Sequence, residues 1–213
     1  MRLIDLTRTI SNTTPVYPGT EAPSLSVAST YEESGYKETL LRFYSHTGTH
    51  MDAPNHIYPD GISLDKKEVS GFVGKACIID ARDVPAGGSI DISYIERNKE
   101  RVERAEFIVF QTGWEKYWGQ DEYFGEYPVI SMEVAKYLVE NSKKGIGLDN
   151  IGLDSISDTE LPLHHLILEN GTMVILENLC NLDLIGEVDF LLVALPLKFE
   201  NSDGAPVRAV AIL

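Results

Sequence analysis

A chain of 213 residues, 43% of them hydrophobic, can bury one sizeable core, so a single domain spanning residues 1–213 is expected. A formal charge of −15 lacks the basic footprint that nucleic acid or an anionic membrane surface requires, and neither is expected as a partner. No apolar run reaches the roughly 18 residues of a membrane span. The opening Met1-Arg2-Leu3-Ile4-Asp5 lacks the apolar core of a signal peptide, and Cys77 and Cys180 make neither a disulfide framework nor a CxxC pair; these features point to the cytoplasm.

In chain order, Leu3 to Leu6 reads as a first strand. Residues 11–37 scatter Pro15, Pro18, Gly19, Pro23 and Gly35 among Ser and Thr, which reads mostly as extended loop. A loop of that length is uncommon unless it is functional or packs on a partner, and Tyr17, Tyr31 and Tyr36 are candidates for a substrate entrance, a subunit contact or ordinary surface packing. Thr39 to Tyr44 reads as a strand leading into a histidine-rich segment, and Tyr58-Pro59-Asp60-Gly61 as a turn. Ala76 to Asp80 reads as a buried strand holding an inert Cys77, and Ser93 as the cap of a helix through about Glu103. Phe107 to Phe110 is a strand. Ser131 caps a helix from Met132 to Lys143, and Gly145 to Asp149 is a strand entering an Asp-rich loop. That loop is no calcium site, because Ile151 and Leu153 occupy positions that would have to supply ligands. Pro162 opens a helix through about Glu169, and Met173–Leu176, Asp189–Phe199 and Val207–Ile212 supply the last strands. Strands and helices alternate through the middle, which favours an α/β class.

The segment from His46 to His56 holds three of the five histidines, with Asp52 among them. Neutral imidazole and carboxylate are the usual ligands of zinc, manganese or ferrous iron. On a straight strand His46, His50, Asp52 and His56 would share one face. Such a strand would also hold the His46 and His50 Cα atoms roughly 13 Å apart, too far for two bonds of about 2 Å to one ion. The chain therefore bends between them, at Gly48, and Pro54 fixes the backbone before His56. A lone histidine is more often a surface or hydrogen-bonded core residue. Three in one segment with Asp, Gly and Pro point to a metal or catalytic site.

The pattern His46-x-Gly48-Thr49-His50-x-Asp52-x-Pro54-x-His56 resembles the signature of the metal-dependent cyclase family, which includes bacterial kynurenine formamidases and isatin hydrolases. Ile4-Asp5-Leu6-Thr7, Pro15-Val16-Tyr17-Pro18-Gly19, Gln111-Thr112-Gly113-Trp114, Ile146-Gly147-Leu148-Asp149, Leu176-Glu177-Asn178-Leu179 and Gly204-Ala205-Pro206-Val207-Arg208-Ala209-Val210 resemble further blocks, so the likeness runs nearly end to end. It implies a swivelling β/β/α fold around a mixed sheet. It also implies His46, His50 and Asp52 as metal ligands, with His165 and Glu177 completing a second metal position. His165 lies at the expected spacing from Glu177, while the adjacent His164 is either the true ligand or a group that orients one. Asp52 would bridge two ions, and His56 would be the catalytic proton shuttle. The cofactor expected is one or two divalent ions per subunit, zinc first and manganese second. The assembly expected is a homodimer or homotetramer acting on a small molecule.

The activity so implied is hydrolysis of an aryl formamide such as N-formylkynurenine by metal-activated water, without a covalent intermediate. The alternatives are an isatin-hydrolase-like cyclic-amide hydrolase, a metal-dependent cyclase or dehydratase, and a metal-containing small-molecule binder. A serine hydrolase is disfavoured, since no Gly-x-Ser-x-Gly elbow occurs. Phe43, Tyr44, Trp114, Trp118, Tyr123 and Phe124 are candidates either for an aromatic-accepting pocket or for core packing.

Overall fold

The computed structural model describes residues 1–213. Strand β1 (Leu3–Asp5) is followed by β2 (Ser24–Ser29), a single helical turn α1 (Tyr31–Ser34), and β3 (Glu38–Arg42). Next come β4 (His50–Asp52), β5 (Val73–Asp80), β6 (Ser89–Ile90), α2 (Ile92–Arg97), α3 (Lys99–Arg104) and β7 (Phe107–Gln111). The chain closes with β8 (Val129–Ile130), α4 (Met132–Glu140), β9 (Gly145–Leu148), α5 (Pro162–Leu168), β10 (Val174–Glu177), β11 (Phe190–Pro196) and β12 (Gly204–Ile212).

Eight strands make one mixed sheet in the order β1-β12-β11-β5-β7-β9-β10-β4. Strands β5, β7, β9 and β10 run parallel, with α2 to α5 in the crossovers between them. The long strand β12 pairs with β11 along one edge; its other edge is divided between β1 and β4. The β12–β4 pairing closes seven of the strands into a barrel and leaves only the short β1, paired with β12 alone, at an edge.

Side-chain alternation divides the core in two. Ala76, Ile78, Phe107, Val109, Val174, Leu176, Leu192, Ala194 and Ala205 belong to one cluster, inside the barrel. Their neighbours Cys77, Ile79, Ile108, Phe110, Ile146, Leu148 and Ile175 point outward, under Ile95 of α2, Val102 of α3, Val134 and Leu138 of α4, and Leu163 and Ile167 of α5. Both faces of the parallel strands are thus apolar, as a helix-covered sheet requires. Burial raises the Cys77 thiol to about 11, in keeping with an inert core cysteine.

The structure departs from the sequence reading in three places. Residues 11–37 are not all loop: Ser24-Leu25-Ser26-Val27-Ala28-Ser29 is strand β2, which pairs only with β3 in a hairpin outside the barrel. The helix expected to run unbroken to Glu103 is interrupted at Asn98, and its cap is Asp91, which accepts from the Ser93 N–H, rather than Ser93. Helix α4 ends at Glu140 instead of Lys143, because Ser142 adopts a left-handed φ of 51°. Ser131 does cap it, accepting from the Val134 N–H at 3.2 Å.

Candidate metal centre

Gly48 has φ 65°, so the chain turns sharply after His46 and before β4 begins. Along β4, Met51 enters the barrel core, which leaves His50 and Asp52 on the outer face. The antiparallel register with β10 sets Glu177 directly opposite His50, where facing side chains lie close together. On the other edge, Gly204 of β12 lies opposite Asp52, and the His46 ring rests over it. A Cβ at Gly204 would come within 2.6 Å of His46 Nε2, so only glycine leaves this seat open.

Helix α5 supplies the last imidazole, and here one expectation is corrected. His164, not His165, enters the cluster: its Nε2 lies 3.6 Å from Asp52 Oδ2 and 3.4 Å from Glu177 Oε1. His165 points the other way, with Nδ1 3.3 Å from the Tyr58 hydroxyl. Adjacent helix positions differ by about 100° around the axis, and Leu163 and Ile167, packed into the outer core, orient α5 so that 164 rather than 165 faces β10.

The remaining distances define a compact centre. His46 Nδ1 is 2.7 Å from Asp52 Oδ1, and His50 Nε2 is 3.3 Å from both Asp52 Oδ1 and Glu177 Oε2. His50, Asp52, His164 and Glu177 are all buried. Each imidazole turns one nitrogen to these carboxylates and the other to a second acceptor. His46 Nε2 is 3.1 Å from Asp203, His50 Nδ1 2.9 Å from the Gly48 carbonyl, and His164 Nδ1 2.7 Å from Asp154. Such outer acceptors hold ring orientation and tautomer, so that the inner nitrogens can donate lone pairs to an ion. Asp154 and Asp203 were not anticipated as site residues; the Asp-rich loop around Asp154 was the one available signal.

These residues fit a divalent cation. Ligand atoms of His46, His50 and Asp52 lie within 4.8 Å of one another, as do those of Asp52, His164 and Glu177, so Asp52 is common to two positions. Two buried carboxylates faced by three imidazoles form a nitrogen–oxygen donor set suited to zinc or manganese. Without an ion, protons take up the balance. Burial works against a charged His46, yet Asp52 and Asp203 outweigh it and raise its pKa to about 9. Burial is likewise overcome at His50 by Asp52 and Glu177, which raise it to about 10. His164 is raised well above its ordinary value by Asp154, Asp52 and Glu177, again against burial. The hydrogen bond from His46, together with its charge, lowers Asp203 to about 2 despite desolvation.

His56 follows Pro54 in a short 3-10 turn, with its ring tilted at 38° and its centroid 4.1 Å from that of His46. Burial, only partly opposed by Asp52, lowers its pKa. The cluster opens into a cleft of about 530 Å³ walled by Val16, Tyr17, Tyr44, Ile151 and Leu161. Tyr17, a candidate for the substrate entrance, lines this cleft while Tyr31 and Tyr36 do not, and of the six residues offered for an aromatic-accepting pocket only Tyr44 does. Trp114 and Tyr123 belong to a separate buried cluster with Tyr127, against which Trp118 and Phe124 pack, and Phe43 lines a shallow surface depression. Core packing was the correct alternative for most of them.

The "Putative cyclase" family profile matches residues 4–155. A kynurenine formamidase of Bacillus cereus is 35% identical over 209 residues, covering 97% of this chain and 95% of the relative. The chain belongs to this cyclase family, and within it is a metal-dependent hydrolase. Isatin hydrolase A from Ralstonia solanacearum is 26% identical with a TM-score of 0.86, covering 99% of this chain and 91% of that one. An isatin hydrolase bound to the product analogue thioisatinate, at 23% identity and a TM-score of 0.86, covers 99% of this chain and 92% of its own, and shares the fold. No helix is long and apolar enough to cross a membrane.

Proposed function

We propose that the chain hydrolyses the formamide of an N-formylated aromatic amine of the N-formylkynurenine kind, releasing formate and the free amine. The observation that carries this reading is the convergence of His46, His50, Asp52, His164 and Glu177 in the lining of the cleft, with the His56 ring tilted against that of His46. The likeness to a kynurenine formamidase over nearly the whole chain supports the substrate class.

His46, His50 and Asp52 would hold one divalent ion, and Asp52, His164 and Glu177 a second; zinc is the first assignment and manganese the second. A bound divalent ion supplies a water whose pKa is lowered to about 7 and a positive centre for the carbonyl oxygen. His56 is placed to take the proton that the attacking water loses and to return it to the departing aryl nitrogen, so that the amine leaves neutral. Val16, Tyr17, Tyr44 and Leu161 offer an apolar and aromatic wall for the ring of the substrate.

A second reading, ring opening of a cyclic aryl amide such as isatin, is favoured by the 26% identity and TM-score of 0.86 to an isatin hydrolase. The same residues would serve it, with the released nitrogen remaining tethered to the product. Measuring kcat/KM for N-formylkynurenine and for isatin on the same metal-loaded protein separates the two. A higher value for isatin would overturn the formamidase assignment and leave the hydrolase class standing.

We infer that the subunit assembles as a homodimer or homotetramer. Support comes from Val27, Leu40, Leu41, Tyr31 and Tyr36, all exposed on or beside the β2–β3 hairpin. A two-stranded hairpin on its own is marginally stable in water, and a partner surface would cover it.

A further inference from the structure

Asn178 follows Glu177 in the left-handed region, at φ 58°, and is buried. It lines the cleft beside His50 and Glu177, and its side chain bonds to the loop before β4 and to Tyr123. Its Nδ2 donates to the Gly48 carbonyl at 2.9 Å, and its Oδ1 accepts from the Tyr123 hydroxyl at 2.7 Å. Tyr123 is fully buried, 55 positions away in the chain, and Trp114 Nε1 donates to its backbone carbonyl.

The donor and acceptor roles in this chain of contacts are forced. A carbonyl oxygen can only accept, so both groups meeting Gly48 O must donate: the Asn178 amide and His50 Nδ1, at 2.9 Å each. The Asn178 Nδ2 to His50 Nδ1 contact of 3.5 Å is then an approach of two donors rather than a bond between them. With its proton on Nδ1, a neutral His50 has its lone pair on Nε2, the nitrogen 3.3 Å from Asp52 and Glu177. Tyr123 holds the far end of the amide. With Asn178 Nδ2 committed to the Gly48 carbonyl, Oδ1 accepts from the Tyr123 hydroxyl, which also lies 3.3 Å from the Asp149 carbonyl; turning the amide over would set two oxygens, Asn178 Oδ1 and Gly48 O, against each other. The backbone of Asn178 secures the same loop from the other side, since its carbonyl accepts from the Thr49 hydroxyl at 2.7 Å.

We propose that Asn178 and Tyr123 are a pair of positioning residues that hold the Gly48 carbonyl, and through it the ring and tautomer of His50, ready for the ion. The inference rests on the metal centre described above. It assigns to these two residues a part of the metal affinity although neither touches the ion. A purely structural role would predict something different: loss of stability without a change in how the ion is held.

The test is Co(II) binding to the full-length protein, followed by its visible absorption spectrum and by competition with a chelator. Asn178→Asp keeps the size of the side chain and replaces the donor facing Gly48 O with an acceptor. It should weaken Co(II) about 10- to 100-fold and alter the absorption bands that report the ligand field. Tyr123→Phe, which removes only the hydroxyl, should weaken it less but in the same direction, and it decides the matter if Asn178→Asp does not fold. Ile108→Val, in the outer core, should bind as wild type does despite its own loss of stability. Wild-type affinity and an unchanged spectrum in Tyr123→Phe, and in Asn178→Asp if it folds, would overturn the role of the pair while leaving the metal centre intact. A wild-type protein that takes up no Co(II) would instead overturn the centre itself.

Discussion

Asp154 grips His164 twice: its Oδ2 lies 2.9 Å from the backbone nitrogen and 2.7 Å from ring Nδ1. Its other oxygen accepts from the Leu163 N–H at 2.9 Å. The residue flanking α5, Leu161, has φ 50° and offers no side-chain cap, so Asp154 performs that task from the preceding loop. One carboxylate therefore starts the helix and aims the imidazole that the helix carries. Asp154→Asn keeps much of the cap but puts the ring bond at risk. We expect metal affinity at the Asp52–His164–Glu177 position to fall about 10- to 100-fold, with a smaller loss of thermal stability, measured by calorimetric titration and thermal melting.

The adjacent histidines give a sharper contrast. His164→Ala should cost more metal affinity than the roughly 10- to 100-fold typical of losing an outer partner, and turnover should fall with it. His165→Ala, which loses a contact with Tyr58, should keep near wild-type metal content. Elemental analysis of the two purified variants tests this. The reverse pattern would mean that α5 presents its other face.

Gly204→Ala places a methyl group against the His46 ring. Alanine is sterically acceptable to a strand, so the fold should survive while His46 shifts by a good part of an ångström. A misplacement near 1 Å costs on the order of 100-fold in rate, and a loss of that size in kcat/KM with a near-native circular dichroism spectrum is the expected result.

Asp149 is fully buried, and burial raises its carboxyl to about 6, against hydrogen bonds from the Thr112 and Gly113 backbone and the Thr112 hydroxyl. The folded state therefore binds this proton more tightly than the unfolded chain does, and the linked stability is lost as pH rises from about 4 to about 6. Asp149→Asn lacks that titration. The stability advantage of wild type over the variant should shrink by on the order of 3 kcal/mol across that window, read from urea unfolding at a series of pH values.

For the assembly, sedimentation of the wild type should give a dimer or tetramer. Leu40→Asp, on the exposed hairpin, should shift it towards monomer. A wild-type monomer would contradict the proposed assembly.

Much of the centre was legible in the sequence because it sits in one short segment. His46, His50, Asp52 and His56 share eleven residues, and Gly48 marked the bend that brings them together. Glu177 came from the family resemblance. The choice between His164 and His165 was not legible, because it depends on which side of α5 meets the barrel, and that is set by contacts distant in sequence. Asp203 was hidden for a related reason, since it reaches His46 from 157 residues away; Asp154 lies only ten residues before His164, but no local pattern marks a carboxylate that orients a ring. Strand β2 was obscured by its proline- and glycine-rich surroundings, although the alternation of Leu25 and Val27 with serines was present. Closure of the barrel depends on β12 meeting β4, a pairing between strands some 150 residues apart that no local periodicity encodes.

The most direct test is formate release from N-formylkynurenine by one preparation in three states: as purified, stripped with a chelator, and reloaded with zinc or manganese. The loaded protein should turn over about once per second or more, lose that turnover on stripping and regain it on reloading. Turnover that survives complete removal of metal would rule out the metal centre as the seat of the reaction.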